Sequence, residues 1–212
     1  MMTEKHQTGI LITSVKRVHG RATLTLSTGE TLNMPRAMLR ERPYKSGMLF
    51  DRRSFELFIQ ERSYPFALEK AVAQLAARAR TEKEIVDSLR KNMYPEATIA
   101  KVMARLQEAG YINDADFAAQ WTASRASKGL GTRRIRTELR MKGVNQQEID
   151  QALSEVDDDE LLQGAYKAAQ KFARGKDLSS PSDRQKILAA LARRGFDFSL
   201  ARQVMQMLIE SQ

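Results

Sequence analysis

The sequence predicts a mainly α-helical protein: three tandem three-helix repeats forming an elongated array, preceded by a small β-rich N-terminal subdomain of three strands with short helices attached. Three observations carry this reading. Apolar and polar residues alternate between Gly9 and Met34, apolar residues recur at helical spacing from about Ser63 onward, and the helical part aligns with itself without a gap. The division that follows is 1–63, 64–113, 114–157 and 158–212.

Within the first segment, ILITSVKRV, RATLTLS and ETLNM read as short antiparallel strands. β-Branched residues are dense there, and His19-Gly20 and Thr28-Gly29 fall where hairpin turns belong. PRAMLRERPYKSG reads as a short helix and turn, and DRRSFELFIQERS as a further helix. Leu24, Leu26, Leu32 and Leu49 are assigned to the core rather than to a binding surface.

Each repeat opens with an amphipathic helix: FALEKAVAQLAARA, DADFAAQWTASRAS and DDELLQGAYKAAQKFARG. The remainder of each is a helix, a tight turn and another helix. In the first repeat the apolar anchors are Ile85, Leu89, Tyr94, Ile99, Val102, Met103 and Leu106. A shift of 50 residues gives Ile135, Leu139, Val144, Ile149, Ala152, Leu153 and Val156. A further shift of 52 gives Ile187, Leu191, Phe196, Ala201, Val204, Met205 and Leu208. Thr81 with Glu84, and Asn145 with Glu148, have capping-box spacing. Gly110, Gly143 and Gly195 stand where left-handed helix ends are expected, and Pro95 suits a first helical turn. Met93 replaces glycine in the first repeat, so that turn is expected to close differently. Tyr111 and Ile112 read as apolar closure of a cap, and RGKDLSSPSD as a mobile loop in the third repeat.

Composition narrows the function. The chain has 35 Lys and Arg against 26 Asp and Glu, a net charge of +9, which favours a polyanionic partner. Cysteine is absent and histidine occurs only at His6 and His19, which excludes cysteine catalysis, disulfides and the usual zinc ligand sets. Neither a Ser-His-Asp arrangement nor a Gly-rich phosphate loop is available, so no catalytic group, cofactor or metal is nominated and the expectation is not an enzyme. No run approaches the roughly 20 apolar residues of a membrane span. MMTEKHQTG lacks the apolar core of a signal peptide, which points to the cytoplasm. Asp157, Asp158, Asp159 and Glu160 read as a linker and helix N-terminus, where negative charge is favoured.

The second repeat is neutral in sum yet segregated. All its bases, Arg125, Lys128, Arg133, Arg134, Arg136, Arg140 and Lys142, lie in ASRASKGLGTRRIRTELRMKG beside one acid, Glu138. Such a block can track phosphates, with Gly129 and Gly131 letting the backbone approach closely at a helix N-terminus. A solvated helix with bases near its C-terminal dipole accounts for Arg140 and Lys142, but poorly for Arg133 and Arg134 in the first turn. Arg90 and Lys91 in the first repeat, and Arg193 and Arg194 in the third, recur at corresponding turns, where capping and partner binding are equally open. Phe117 and Trp121 share a helix face and are read as core rather than as base-stacking residues.

These residues carry a family resemblance. RARTEKEIVDSL at 78–89, AGYINDADFA at 109–118, KGLGTRRIRTELRMKGV at 128–144 and LARRGF at 191–196 resemble the RecX proteins, bacterial modulators of the RecA recombinase. The resemblance runs from about Pro65 to the end; Ala79 stands where proline is frequent, and Asn113 where an acidic pair with Asp114 is common. It implies a curved body of three-helix repeats lying in the groove of a RecA filament on DNA. There it would limit filament growth, strand exchange and coprotease activity in the SOS response. The residues expected to meet RecA or DNA are Arg125, Lys128, Arg133, Arg134, Arg136, Arg140, Lys142, Arg193 and Arg194. Two other readings compete. One is a stand-alone DNA-binding module of helix-turn-helix type, on single- or double-stranded DNA; the other is a protein scaffold without nucleic-acid contact.

Overall fold

The computed structural model describes residues 9–211; His6 and the rest of the N-terminal eight residues lie outside that range. Three strands, β1 (Ile12–Val18), β2 (Arg21–Leu26) and β3 (Thr31–Pro35), form an antiparallel sheet in the order β1-β2-β3. Alternation sends Ala22, Leu24 and Leu26 to one buried face. A 3₁₀ turn (Arg36–Arg40) follows, and Met38, Tyr44, Phe50 and Phe55 complete the core over the sheet. Leu49 is a correction to the expected core: it bridges Leu11 at the sheet margin and is 71% exposed. Neighbouring extended residues point to opposite faces, and Phe50 is the one turned inward.

The helix expected at DRRSFELFIQERS and the first helix of the first repeat are one. α1 runs from Arg52 to Ala77 with Pro65 inside it, so a boundary at 63/64 falls within a continuous helix. Pro65 removes one helical N–H, but its ring is exposed, where water can meet the freed carbonyl. Packing holds both halves: Phe55 belongs to the sheet core, Ala67 and Ala71 to the repeat core, and Phe66 packs against both. The buried hydroxyls of Ser63 and Thr98 pair at 2.6 Å.

The repeats are otherwise built as expected. α1 with α2 (Glu82–Lys91) and α3 (Glu96–Glu108) makes the first repeat. The second comprises α4 (Asp114–Ala126), α5 (Thr132–Met141) and α6 (Gln146–Ser154), and the third α7 (Asp158–Ala173), α8 (Pro181–Arg193) and α9 (Phe198–Glu210). Every apolar anchor named above is buried except Val156, which is half-buried. Thr81 and Asn145 cap α2 and α5's successor α6 through the backbone N–H of Glu84 and Glu148, and Asn113 caps α4 in the same manner. The chain divides into two compact units, residues 1–112 and 113–212.

Three expectations need correction. Met93 does not change the first turn: it adopts φ +66°, and Tyr94 N–H reaches the Leu89 carbonyl just as Val144 reaches Leu139 and Phe196 reaches Leu191. Of the pair after Gly110, only Ile112 is buried; Tyr111 is 63% exposed. The supposed mobile loop is pinned, because Leu178 is buried, Asp177 accepts from Ser179, and α8 already begins at Pro181.

Candidate functional site

In the second unit, the N-terminus of α5 is occupied by the protein itself. Gly131 N–H donates to the Arg194 carbonyl at 3.0 Å and Arg133 N–H to the Gly195 carbonyl at 3.1 Å. The C-terminal end of α8 therefore meets the N-terminal end of α5, and the opposed helix-end charges offset each other. This answers why Arg133 and Arg134 are tolerated in a first helical turn. It also corrects the role expected of Gly131. A Cβ on Gly131 would stand 2.3 Å from backbone atoms of Gly195 and Phe196, so the close approach is made by the third repeat and not by a phosphate.

Arg194 belongs to the same joint. Its Nε donates to the Gly129 carbonyl at 2.7 Å and its Nη2 to the Lys128 carbonyl at 2.9 Å. Its side chain therefore ties the third repeat to the second rather than capping its own helix.

Several other bases of the block are held by their own repeat. Glu138, with a side chain only 14% exposed, accepts from Arg125 at 2.8 Å, Arg134 at 3.3 Å and the Trp121 indole at 3.1 Å. The Arg125 guanidinium lies over the Trp121 ring, 4.1 Å from its centroid, and the Lys142 ammonium lies 4.3 Å from the same centroid. Phe117 and Trp121 stack at 5.6 Å, Phe117 buried and Trp121 partly so, which agrees with their assignment to the core. Arg136 pairs with Asp150, and Arg140 donates to Gln146 at 2.7 Å. The Asp150 carboxyl is held below the usual carboxylate range, first by the Gln146 hydrogen bond and then by Arg136.

What remains outward is a smaller set. Lys128, Arg133 and Arg193 are exposed, and among the described residues none has a carboxylate at ion-pairing distance. The fold adds two cations that the sequence reading passed over, Lys167 and Lys171 on α7. With Lys128, Gly129 and Arg194 they line a cleft of about 430 Å³ whose one acid is Glu160. Their separation of four residues places them on one helix face, a legible signal, but their partnership with Lys128 requires the packing of α7 beside the end of α4. The arrangement can bind a polyanion or an acidic surface through several cations around one concavity.

A helical-repeat protein with a basic cleft is the class that this fold and surface define. The chain matches the models for the first, second and third RecX three-helix domains at residues 67–106, 113–153 and 158–205. It is 37% identical over 135 residues to the regulatory protein RecX of Mycolicibacterium vanbaalenii, covering 60% of this chain and 73% of that one. To the regulatory protein RecX of Amycolatopsis mediterranei it is 34% identical over 143 residues, covering 66% and 82%. The chain belongs to the RecX family. In fold it is similar to a crystal structure of regulatory protein RecX, with a TM-score of 0.64 at 23% identity over 93% of this chain and 99% of that one. The RecX structure from Lactobacillus salivarius gives 0.64 at 24% identity over 69% and 96%. Among the described residues no helix is long and apolar enough to cross a membrane.

Proposed function

We propose that this chain is a non-enzymatic cytoplasmic regulator that binds RecA and its DNA filament and restrains filament extension, strand exchange and coprotease activity. Family membership supplies the partner. The observation that carries a binding role is the set of outward cations Lys128, Arg133, Lys167, Lys171 and Arg193, in a unit where Arg125, Arg134, Arg136 and Arg140 are held by Glu138, Asp150 and Gln146. Arg125, Arg134, Arg136, Arg140 and Lys142 then act mainly by shaping the face, and Arg194 by joining the repeats.

DNA-dependent ATP hydrolysis by RecA tests the reading. Substoichiometric addition of the chain lowers hydrolysis and shortens filaments. The triple variant Lys128→Glu/Arg133→Glu/Lys167→Glu needs at least about tenfold more protein for the same effect, the loss expected when several charge contacts are reversed. Unchanged hydrolysis and filament length with the wild-type chain would overturn the proposal. Capture of RecA with and without single-stranded DNA separates filament binding from binding to free RecA.

A further inference from the structure

The first unit carries a second concentration of unmatched positive charge, away from the basic block. Seven of its bases have acids: Arg40 pairs with Glu69, Arg52 with Glu30, Arg62 with Glu41, Arg78 with Glu84, Lys83 with Asp87, Arg90 with Glu96 and Arg105 with Glu108. Among the described bases with no carboxylate at ion-pairing distance, Arg21, Arg36, Lys70 and Lys91 converge on one place. Arg21, Lys70 and Lys91 line a cleft of about 400 Å³ between the β1–β2 hairpin and the end of α2. Arg36 and Lys70 line an adjoining cleft of about 440 Å³ between the 3₁₀ turn and α1. Lys70 and Asn92 are common to both. The one carboxylate in either lining, Glu69, is already bound by Arg40.

Nothing within the described residues neutralises these charges, yet the fold holds them together. Gly20, at φ +141°, lets the hairpin press on Asn92, whose Oδ1 would lie 1.6 Å from a Cβ at that position. Asn92 is itself fixed by donating to the Ser88 carbonyl at 2.6 Å, and Arg36 N–H donates to the Gly20 carbonyl at 2.8 Å. Ser88 and Asn92 add neutral polar groups to the four cations, the mixture that commonly meets phosphate oxygens. Two adjoining concavities with a shared lysine suit successive phosphates of one strand better than a single anion.

We propose that this twin cleft binds the phosphodiester backbone of DNA. The proposal requires DNA alone and does not rest on RecA as the partner.

The test is anisotropy of a short fluorescein-labelled oligothymidylate titrated with the full chain at several salt concentrations. Arg21→Glu/Lys91→Glu raises Kd about tenfold or more and lowers the salt slope by about one to two. Arg53→Glu/Lys101→Glu makes the same charge change outside both clefts and alters Kd less than about twofold, since remote charges are screened. Thermal melting followed by circular dichroism confirms that both variants fold, and Arg21→Gln/Lys91→Gln gives an intermediate loss. In addition, the oligonucleotide shifts the backbone amide resonances of Ser88 and Asn92. Equal weakening by both charge-reversed pairs, no weakening by the cleft pair, or equally effective displacement by polyglutamate at matched charge would each overturn the proposal. A wild-type chain that binds the oligonucleotide but leaves RecA hydrolysis unchanged would instead overturn only RecA as the partner.

Discussion

The two units solve the same joining problem with different atoms. In each, a glycine from a neighbouring element sits against the turn between the last two helices of a repeat. In the first unit Gly20 of the hairpin meets the side chain of Asn92; in the second, Gly131 meets the backbone of Gly195 and Phe196. A side chain can rotate away from an intruding methyl group, whereas backbone within a hydrogen-bonded turn cannot move without breaking its bonds. The second-unit joint is further tied by Arg194 across 65 residues of sequence. The turns also differ in comfort, since Met93 holds at φ +66° a conformation that glycine supplies at φ +87° and +93° in the other repeats.

The largest expected effect tests the stiffer joint. Gly131→Ala places a Cβ against backbone on the third repeat and should destabilise the chain by about 3 kcal/mol, read by urea denaturation, with no side-chain truncation able to restore it. A cost below about 1 kcal/mol would show that the backbone joint yields after all. Gly20→Ala should cost less, about 1–2 kcal/mol, and Asn92→Ala in the same chain should recover part of it, because the obstructing atom is removed while the left-handed strain remains. Absence of any coupling between the two substitutions would remove the side-chain account of that joint. Met93→Gly should stabilise by up to about 1 kcal/mol, the relieved strain outweighing the added chain entropy.

Acid should weaken both units, since Asp51, Glu69 and Glu96 of the first also have lowered carboxyls, whereas alkali should weaken the first. Asp197 caps α9 by accepting from Leu200 N–H, and its carboxyl is lowered first by that backbone bond and then by Ser199. A folded value below the ordinary 3.8 means that this contribution is present above about pH 4 and is lost as pH falls through the folded value. Asp197→Asn keeps the cap and should reduce the acid loss. At the corresponding stage of the first repeat, burial pushes the Tyr94 phenol from 10.0 to about 12. Its contribution is complete below pH 10 and disappears as pH rises toward about 12, so Tyr94→Phe should reduce the alkaline loss. Tryptophan fluorescence in the second unit and amide resonances in the first report which unit yields at each extreme.

Much of the fold is written locally. Ile85 and Leu89, or Ile187 and Leu191, fall four apart on one helix face, and Thr81 or Asn145 stands three residues before the N–H it caps. Such signals need only neighbouring residues. The misreadings share the opposite property. DRRSFELFIQERS and FALEKAVAQLAARA read as separate helices, but the two cores that α1 joins make them one. Leu49 satisfies an apolar pattern, yet the bridge to Leu11 decides which way it faces. Within the candidate face, the block of bases was plain, while the division between held and outward cations depended on Glu138 and Asp150, which lie on other helical turns or another helix.

The sequence by itself determined the repeat, its buried anchors, its caps and the presence of a basic block, because each depends on periodicity or on bonds spanning a few residues. Only the tertiary structure decided that Gly131 receives the third repeat, that Arg194 is a joint, and that Lys167 and Lys171 adjoin Lys128. The same is true of Arg21, Arg36, Lys70 and Lys91, brought from four separate elements to one pair of clefts. Charge and backbone proximity act through space, and a linear pattern of residue types does not encode which distant segments will share it.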